Sequence, residues 1–268
     1  MTEPQVEIAE YGVRLHSSLG KAGEVRVAHI SDLHFRRWDA VSVAAQSQLL
    51  ALDYDLLVAT GDFGNFRRHW RSAADLTKRF FDPLVERGEV FAVLGNHDDP
   101  RIASAADMPL TFLRNESRLV HTPGGTIRLA GVDQFTKGAE SLKDAFADTG
   151  DDEPVVLLAH YPSTAFRLEK HRVDLVLSGH THGGQIRLPR VGCIWPNDRI
   201  PRALSQGLHA VNGTNLHVSP GIGTSLPLRV RINCPAQIAI LTLTNAVITP
   251  ENHLPRRAEK SQLAPIHV

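Results

Sequence analysis

Short β-branched runs alternate with longer amphipathic stretches through the first two-thirds of the chain. Residues 25–30 (VRVAHI), 56–59 (LLVA), 89–94 (EVFAVL), 126–132 (TIRLAGV), 155–159 (VVLLA) and 174–177 (DLVL) are apolar runs of strand length. Continuous runs of this kind fit strands buried on both faces. Residues 38–52 and 69–87 predict two helices, and 141–147 and 165–171 two shorter ones. Strands separated by helix-length segments imply βαβ units. Residues 6–15 add one edge strand.

After residue 183 glycines, prolines and short strands dominate. The pattern predicts strands at 185–188, 208–211, 215–218 and 237–244, paired in an antiparallel manner. The expected fold is α/β, a two-sheet β-sandwich with helices on its outer faces. One domain over residues 1–249 is expected, with 250–268 as a poorly ordered tail rich in proline and arginine.

The 268 residues are enough for a substantial core. With 42% apolar and 22% charged residues, wholesale disorder is excluded. Lys and Arg number 29 and Asp and Glu number 29, so no broad basic surface for nucleic acid is expected. Cys193 and Cys234 share no C-x-x-C spacing, which argues against a disulfide framework and a thiolate zinc site. The polar N-terminus resembles no secretory signal, and no apolar run is long enough for a transmembrane segment. The chain therefore reads as cytoplasmic. The unusual count is 14 histidines, the commonest metal ligand and the usual acid–base group near neutral pH.

Polar residues follow the strands with regularity. VRVAHI runs into Ser31-Asp32-Leu33-His34, LLVA into Thr60-Gly61-Asp62, and EVFAVL into Gly95-Asn96-His97-Asp98-Asp99. VVLLA runs into His160, and DLVL into Ser178-Gly179-His180-Thr181-His182. Open α/β sheets bind ligands at the carboxyl ends of their strands. In Asp32-x-His34 and His180-x-His182, an extended backbone would turn both members of a pair to one side. Asp32, His34, Asp62, Asn96, His160, His180 and His182 form a mixed oxygen and nitrogen donor set without thiolate. Such a set suits Mn, Fe or Zn better than Mg or Ca. Seven donors exceed one ion's needs and fit two divalent metal ions sharing a bridging carboxylate. Paired ions clamp a phosphoryl group and activate water.

These five motifs, in this order and spacing, resemble those of the calcineurin-like metallophosphoesterases over residues 25 to about 184. Residues 182–189 (HGGQIRLP) and 218–225 (VSPGIGTS) resemble a bacterial branch of that family. That branch includes phosphodiesterases and enzymes related to UDP-diacylglucosamine pyrophosphatases. The resemblance implies that Asp32, His34 and His182 hold one metal, that Asn96, His160 and His180 hold the second, and that Asp62 bridges them. It implies that His97 faces the substrate as the catalytic acid, with Asp98 or Asp99 orienting it or serving as turn and cap residues before Pro100. The expected reaction is hydrolysis of a phosphate-ester small molecule, most simply a phosphodiester, by a metal-bridging hydroxide. A nucleotide-sugar-lipid pyrophosphatase, a nuclease and a non-catalytic metal-binding scaffold are the alternatives.

Other residues have plainer readings. His29 lies within a strand and reads as core or as support behind the site. His69, His121, His171, His209, His253 and His267 read as solvated, and His217 stays open between core and site. Arg36, Arg37, Arg187 and Arg229 are candidate phosphate contacts or surface ion pairs.

Overall fold

The structure, a computed structural model, describes residues 6–19, 23–134, 136, 138–150, 152–168, 171–225 and 229–245. The expected tail from residue 250, with His253 and His267, lies outside the described residues. The expected edge strand is β1 (Val6–Arg14), and the first apolar run is β2 (Glu24–Ile30). Helix α1 (Ala40–Ala51) leads to β3 (Leu56–Ala59), and α2 (Trp70–Val85) to β4 (Val90–Ala92). Two strands follow that the apolar pattern does not announce. Strand β5 (Thr111–Phe112) is two residues long, and β6 (Glu116–Thr122) is a mostly exposed edge strand. Then come β7 (Gly125–Gly131), α3 (Leu142–Ala145), β8 (Val155–Leu158) and β9 (Leu175–Ser178). The short helix expected at 165–171 is instead a 3-10 helix at Pro162–Arg167. Pro162 pre-sets its first turn. The remaining strands are β10 (Arg187–Leu188), β11 (Gly192–Cys193), β12 (Gly207–Val211), β13 (Thr214–Val218) and β14 (Ala236–Thr244).

One sheet has the order β1-β14-β2-β3-β4-β5 and the other β12-β13-β9-β8-β7-β6. Strands β2 to β5 run parallel, as do β7, β8, β9 and β13. The expectation of antiparallel pairing after residue 183 holds for β10 with β11, β12 with β13 and β14 with β2. It fails where β13 joins β9 and where β14 joins β1, both in parallel. Strand β13 extends the parallel block of β7, β8 and β9, whereas β14 lies between β1 and β2, parallel to the first and antiparallel to the second.

Alternation along each strand divides the core into layers. Val25, Val27, Leu56 and Val58 of the first sheet meet Ile127, Leu129, Val156, Leu158, Leu175 and Leu177 of the second. The opposite face of the first sheet, with Ala28, Ile30, Leu57 and Ala59, packs on Leu49, Phe80, Phe81 and Leu84 of α1 and α2. The outer face of the second sheet buries Ala130, Val155, Leu157 and Val176 under Ala145, Phe146, Ala165 and Leu168.

Asp39 caps α1 by accepting the Ser42 backbone N–H at 2.9 Å, a contact typically worth about 1 kcal/mol. Pro83, in the last turn of α2, cannot donate to the Arg79 carbonyl four residues back. The Gln46 side-chain amide donates to that carbonyl instead, at 3.0 Å, and ties the two helices together.

Candidate metal centre

Strand direction concentrates the polar residues. The carboxyl ends of β2, β3 and β4 supply Asp32, His34, Asp62, Asn96 and His97, and those of β8 and β9 supply His160, His180 and His182. The two sheets thus contribute from opposite sides of one seam, where parallel strands end together. Asp32, His34, Asp62, His160, His180 and His182 are all buried.

The local backbone differs from the extended form expected for Asp32-x-His34 and His180-x-His182. Asp32, His34, Asp62, His180 and His182 have φ values of 51°, 46°, 56°, 67° and 52°. These are left-handed conformations, which cost a non-glycine residue roughly 1–2 kcal/mol each. Convergence comes from tight turns, and cross-links between the loops hold them. Asp32 and His34 donate their backbone N–H groups to the Gly61 and Asp62 carbonyls, each at 2.9 Å. Gly95 leaves room for the turn beneath, since a Cβ there would overlap the Asp62 carboxylate.

The donors form two groups. Asp32, His34 and His182 offer atoms within 4.8 Å of one another, and so do Asp62, His160 and His180. The His34 and His182 Nε2 atoms stand 3.0 Å apart, with Asp32 Oδ1 3.4 Å from His182 Nε2. In the second group, Asn96 Oδ1 lies 3.0 Å from His160 Nε2. Asp62 Oδ2 lies 3.5 Å from His34 Nε2 and 3.4 Å from His160 Nε2, between the groups.

Main-chain carbonyls fix two of the rings. His160 Nδ1 donates to the Thr60 carbonyl at 2.7 Å, which aims Nε2 at Asp62 and Asn96. His180 Nε2 donates to the Asn197 carbonyl at 2.8 Å, which leaves Nδ1 free.

The electrostatics call for cations. Burial lifts the Asp32 carboxyl to about 6. Burial would lift Asp62 as well, but the His160 imidazole draws it well below the usual carboxylate range. Burial would lower His160, yet the Asp62 carboxylate overcomes that and holds it up at about 10. A proton on His160 Nε2 thus serves several oxygens that a dication would serve better. Burial pushes His34 and His180 down to about 4, and pushes His182 well below the imidazole range. Neutral imidazoles with free lone pairs beside buried carboxylates are the form that binds metal. The donor set therefore fits divalent ions.

His97 lies apart from both groups and is half-buried. Its backbone N–H donates to Asp62 Oδ1 at 2.8 Å, and its Nδ1 donates to the Asn65 carbonyl at 3.0 Å. Its ring meets that of His34 edge-on, with centroids 5.1 Å apart. Asp98 does not orient it. That buried carboxylate accepts the backbone N–H groups of Asp62, Gly64 and Gly95 at 2.8, 3.1 and 2.9 Å, clamping the loops after β3 and β4 together. Burial and the neighbouring Asp62 push Asp98 up to about 7. Asp99 caps the 3-10 turn at Pro100–Ile102, so its turn reading stands.

Asn65 was not singled out in the sequence, yet its carbonyl holds His97 and its amide donates to the His34 carbonyl. His29 and His217 are buried between the sheets with Nδ1 atoms 2.9 Å apart, and His29 Nε2 meets Thr60 Oγ1 at 2.9 Å. His217 thus belongs to the core behind the site. Of the histidines expected to be solvated, His171 is half-buried against Phe146 and His209 donates to the Gln206 carbonyl. Arg187 bonds Gly183 and Ser205 and holds a loop. Two cavities reach the centre. One of about 910 Å³ touches His180 and is lined by Tyr161, Trp195 and Arg199. The other, about 1060 Å³, touches His34 and is lined by Arg36, Arg37, Arg68, Arg71 and Arg229.

Paired Asp/His clusters at the strand ends of a helix-flanked sandwich define a metal-dependent hydrolase of phosphate esters. The chain belongs to the calcineurin-like phosphoesterase family, whose model matches residues 25–184. Members of this family use divalent metals. The chain is 28% identical to the phosphodiesterase YaeI of Escherichia coli over 235 residues, 83% of each chain. It is 27% identical to the UDP-2,3-diacylglucosamine pyrophosphatase LpxG of Chlamydia trachomatis, over 64% of this chain and 66% of that one. It is 32% identical to an uncharacterized metallophosphoesterase of Aquifex aeolicus, over 84% of this chain and 87% of that one. The NAD nucleotidase structure from Haemophilus influenzae shares the fold, with a TM-score of 0.54 and 12% identity. That match covers 88% of this chain but 55% of the nucleotidase. Among the described residues, no helix is long and apolar enough to cross a membrane.

Proposed function

We propose that this phosphoesterase is a dinuclear phosphodiesterase. The observation that carries the reading is Asp62 Oδ2, which lies 3.5 and 3.4 Å from one imidazole nitrogen of each donor group. Asp32, His34 and His182 would hold one ion, Asn96, His160 and His180 the other, and Asp62 both. The thiolate-free donors suit Mn, Fe or Zn. Such ions supply positive charge at phosphorus and an acidified water as nucleophile.

The chain's own residues do the rest. The Thr60 and Asn197 carbonyls hold His160 and His180 so that Nε2 of the first and Nδ1 of the second face inward, and a bound ion would take the place of the His160 Nε2 proton. Asp98 keeps the Asp62 and Asn96 loops in register. His97, steadied at Nδ1 by Asn65, would give the leaving oxygen the Nε2 proton of its imidazolium form and keep the Nδ1 proton on the Asn65 carbonyl.

A diester carries two substituents at phosphorus, and each donor group has its own adjoining cavity. The phosphodiesterase name of the Escherichia coli relative points the same way. The arginines beside His34 favour a second reading, a pyrophosphate diester with one additional anionic group. Steady-state hydrolysis of monoesters, diesters and a nucleotide-linked pyrophosphate with defined metals tests both. Higher kcat/KM on diesters supports the first reading, release of nucleoside monophosphate the second, and a strong preference for monoesters overturns both.

A further inference from the structure

Ten large apolar side chains are more than a third exposed among the described residues, and six of them fall between residues 188 and 232. Five of the six, all but Val230, belong to one small structure. Strands β10 and β11 form a hairpin in which Leu188 pairs with Gly192. Cys193 points inward and is buried, so alternation turns Leu188 and Ile194 outward. Val191 sits at the tip with 61% of its surface exposed, and Trp195 follows the hairpin at 74%. Ile232 pairs in parallel with Ile186 and so shares the face of Leu188. The Arg187 N–H bonds the Ile232 carbonyl at 3.0 Å, which makes the two segments one surface.

Charge around this patch is one-sided. Arg190, Arg199 and Arg202 are exposed beside it, and no ion pair among the described residues engages them. Asp198 is the single acidic residue from 186 to 202. A hairpin with an apolar tip, an exposed tryptophan and unpaired arginines matches the interface of an anionic bilayer. Apolar groups there enter the acyl boundary, tryptophan sits at headgroup depth, and arginine meets phosphate. A protein partner of ordinary composition would offer no reason for the uniform positive charge.

We propose that the β10–β11 hairpin, with Trp195 and Ile232, docks this protein peripherally on anionic lipid bilayers. Ile194 and Trp195 also line the cavity that reaches His180, so docking brings the mouth of that cavity to the lipid surface. The proposal does not depend on the diesterase reading, because the patch lies outside both donor groups.

Flotation of the metal-loaded full chain with vesicles tests it. Vesicles of phosphatidylcholine with about one-third phosphatidylglycerol should carry the protein, and phosphatidylcholine alone should carry much less. Leu188 and Val191 line neither cavity, so the double variant Leu188→Ser/Val191→Ser should lose at least about tenfold in vesicle affinity. Its hydrolysis of a soluble diester should stay unchanged. Arg190→Gln should lose roughly fivefold, and 0.5 M salt should weaken binding further. Trp195 emission should shift to the blue with anionic vesicles, a signal absent in Trp195→Phe. Equal binding to both vesicle types, no binding to either, or full binding by the double variant would overturn the proposal. So would a wild-type dimer in solution that the double variant dissolves, since the patch would then be a self-association face.

Discussion

The Asp98 carboxylate accepts the backbone N–H of Asp62 at 2.8 Å, so one buried acid positions another. Two further N–H groups, from Gly64 and Gly95, converge on Asp98. Asp98→Ala would strand three buried donors. We expect metal affinity to fall about 10–100-fold, as for other residues that orient ligands from behind. Unfolding stability should drop by about 1–3 kcal/mol or more. Metal titration and urea unfolding check both, and unchanged affinity would remove Asp98 from the account.

His97→Ala should lower kcat by about 10²–10⁴-fold on a diester with a poor leaving group, with metal content unchanged. The loss should shrink for a nitrophenolate leaving group, which needs less protonation. Equal losses on both would make His97 a phosphate-stabilising group, and loss of a metal ion would make it a ligand.

Asp62→Asn should weaken both metal sites together, whereas His182→Ala should leave one ion in place. Elemental analysis of the two purified variants separates these outcomes. If Asp62→Asn retained one ion at full strength, the carboxylate would not be shared.

The strand ends were legible because parallel strands must finish on one side, so the polar residues after each apolar run had to meet. The way they meet was not legible. Asp32 and His34 converge through left-handed turns, and no residue type announces a left-handed aspartate or histidine. The carbonyls of Thr60, Asn65 and Asn197 that orient three rings leave no trace in side-chain chemistry. Strand β6 was missed because its charged, half-exposed positions lack an apolar run, and its pairing with β7 fixes it instead.

Burial between the sheets pushes His217 down to about 3. The folded state therefore keeps this ring neutral where the unfolded chain, with an ordinary imidazole near 6.5, takes up a proton. Stability rises with pH wherever the unfolded state binds more protons. His217 accordingly costs nothing above about pH 7 and costs about 2 kcal/mol at pH 5. Thermal unfolding of the metal-loaded protein from pH 7 to pH 5 should show a fall of at least this size, since the buried His29 adds to it, and His217→Gln should make the fall shallower. An equal slope in both proteins would mean that other groups carry the acid sensitivity.

Anomalous X-ray scattering from crystals of the Mn-loaded protein tests the shared carboxylate most directly. Two peaks about 3.5–4 Å apart are expected. One should lie among Asp32, His34 and His182, the other among Asn96, His160 and His180, with the Asp62 carboxylate between them. A single peak at saturating metal, or two peaks without Asp62 between them, would contradict it.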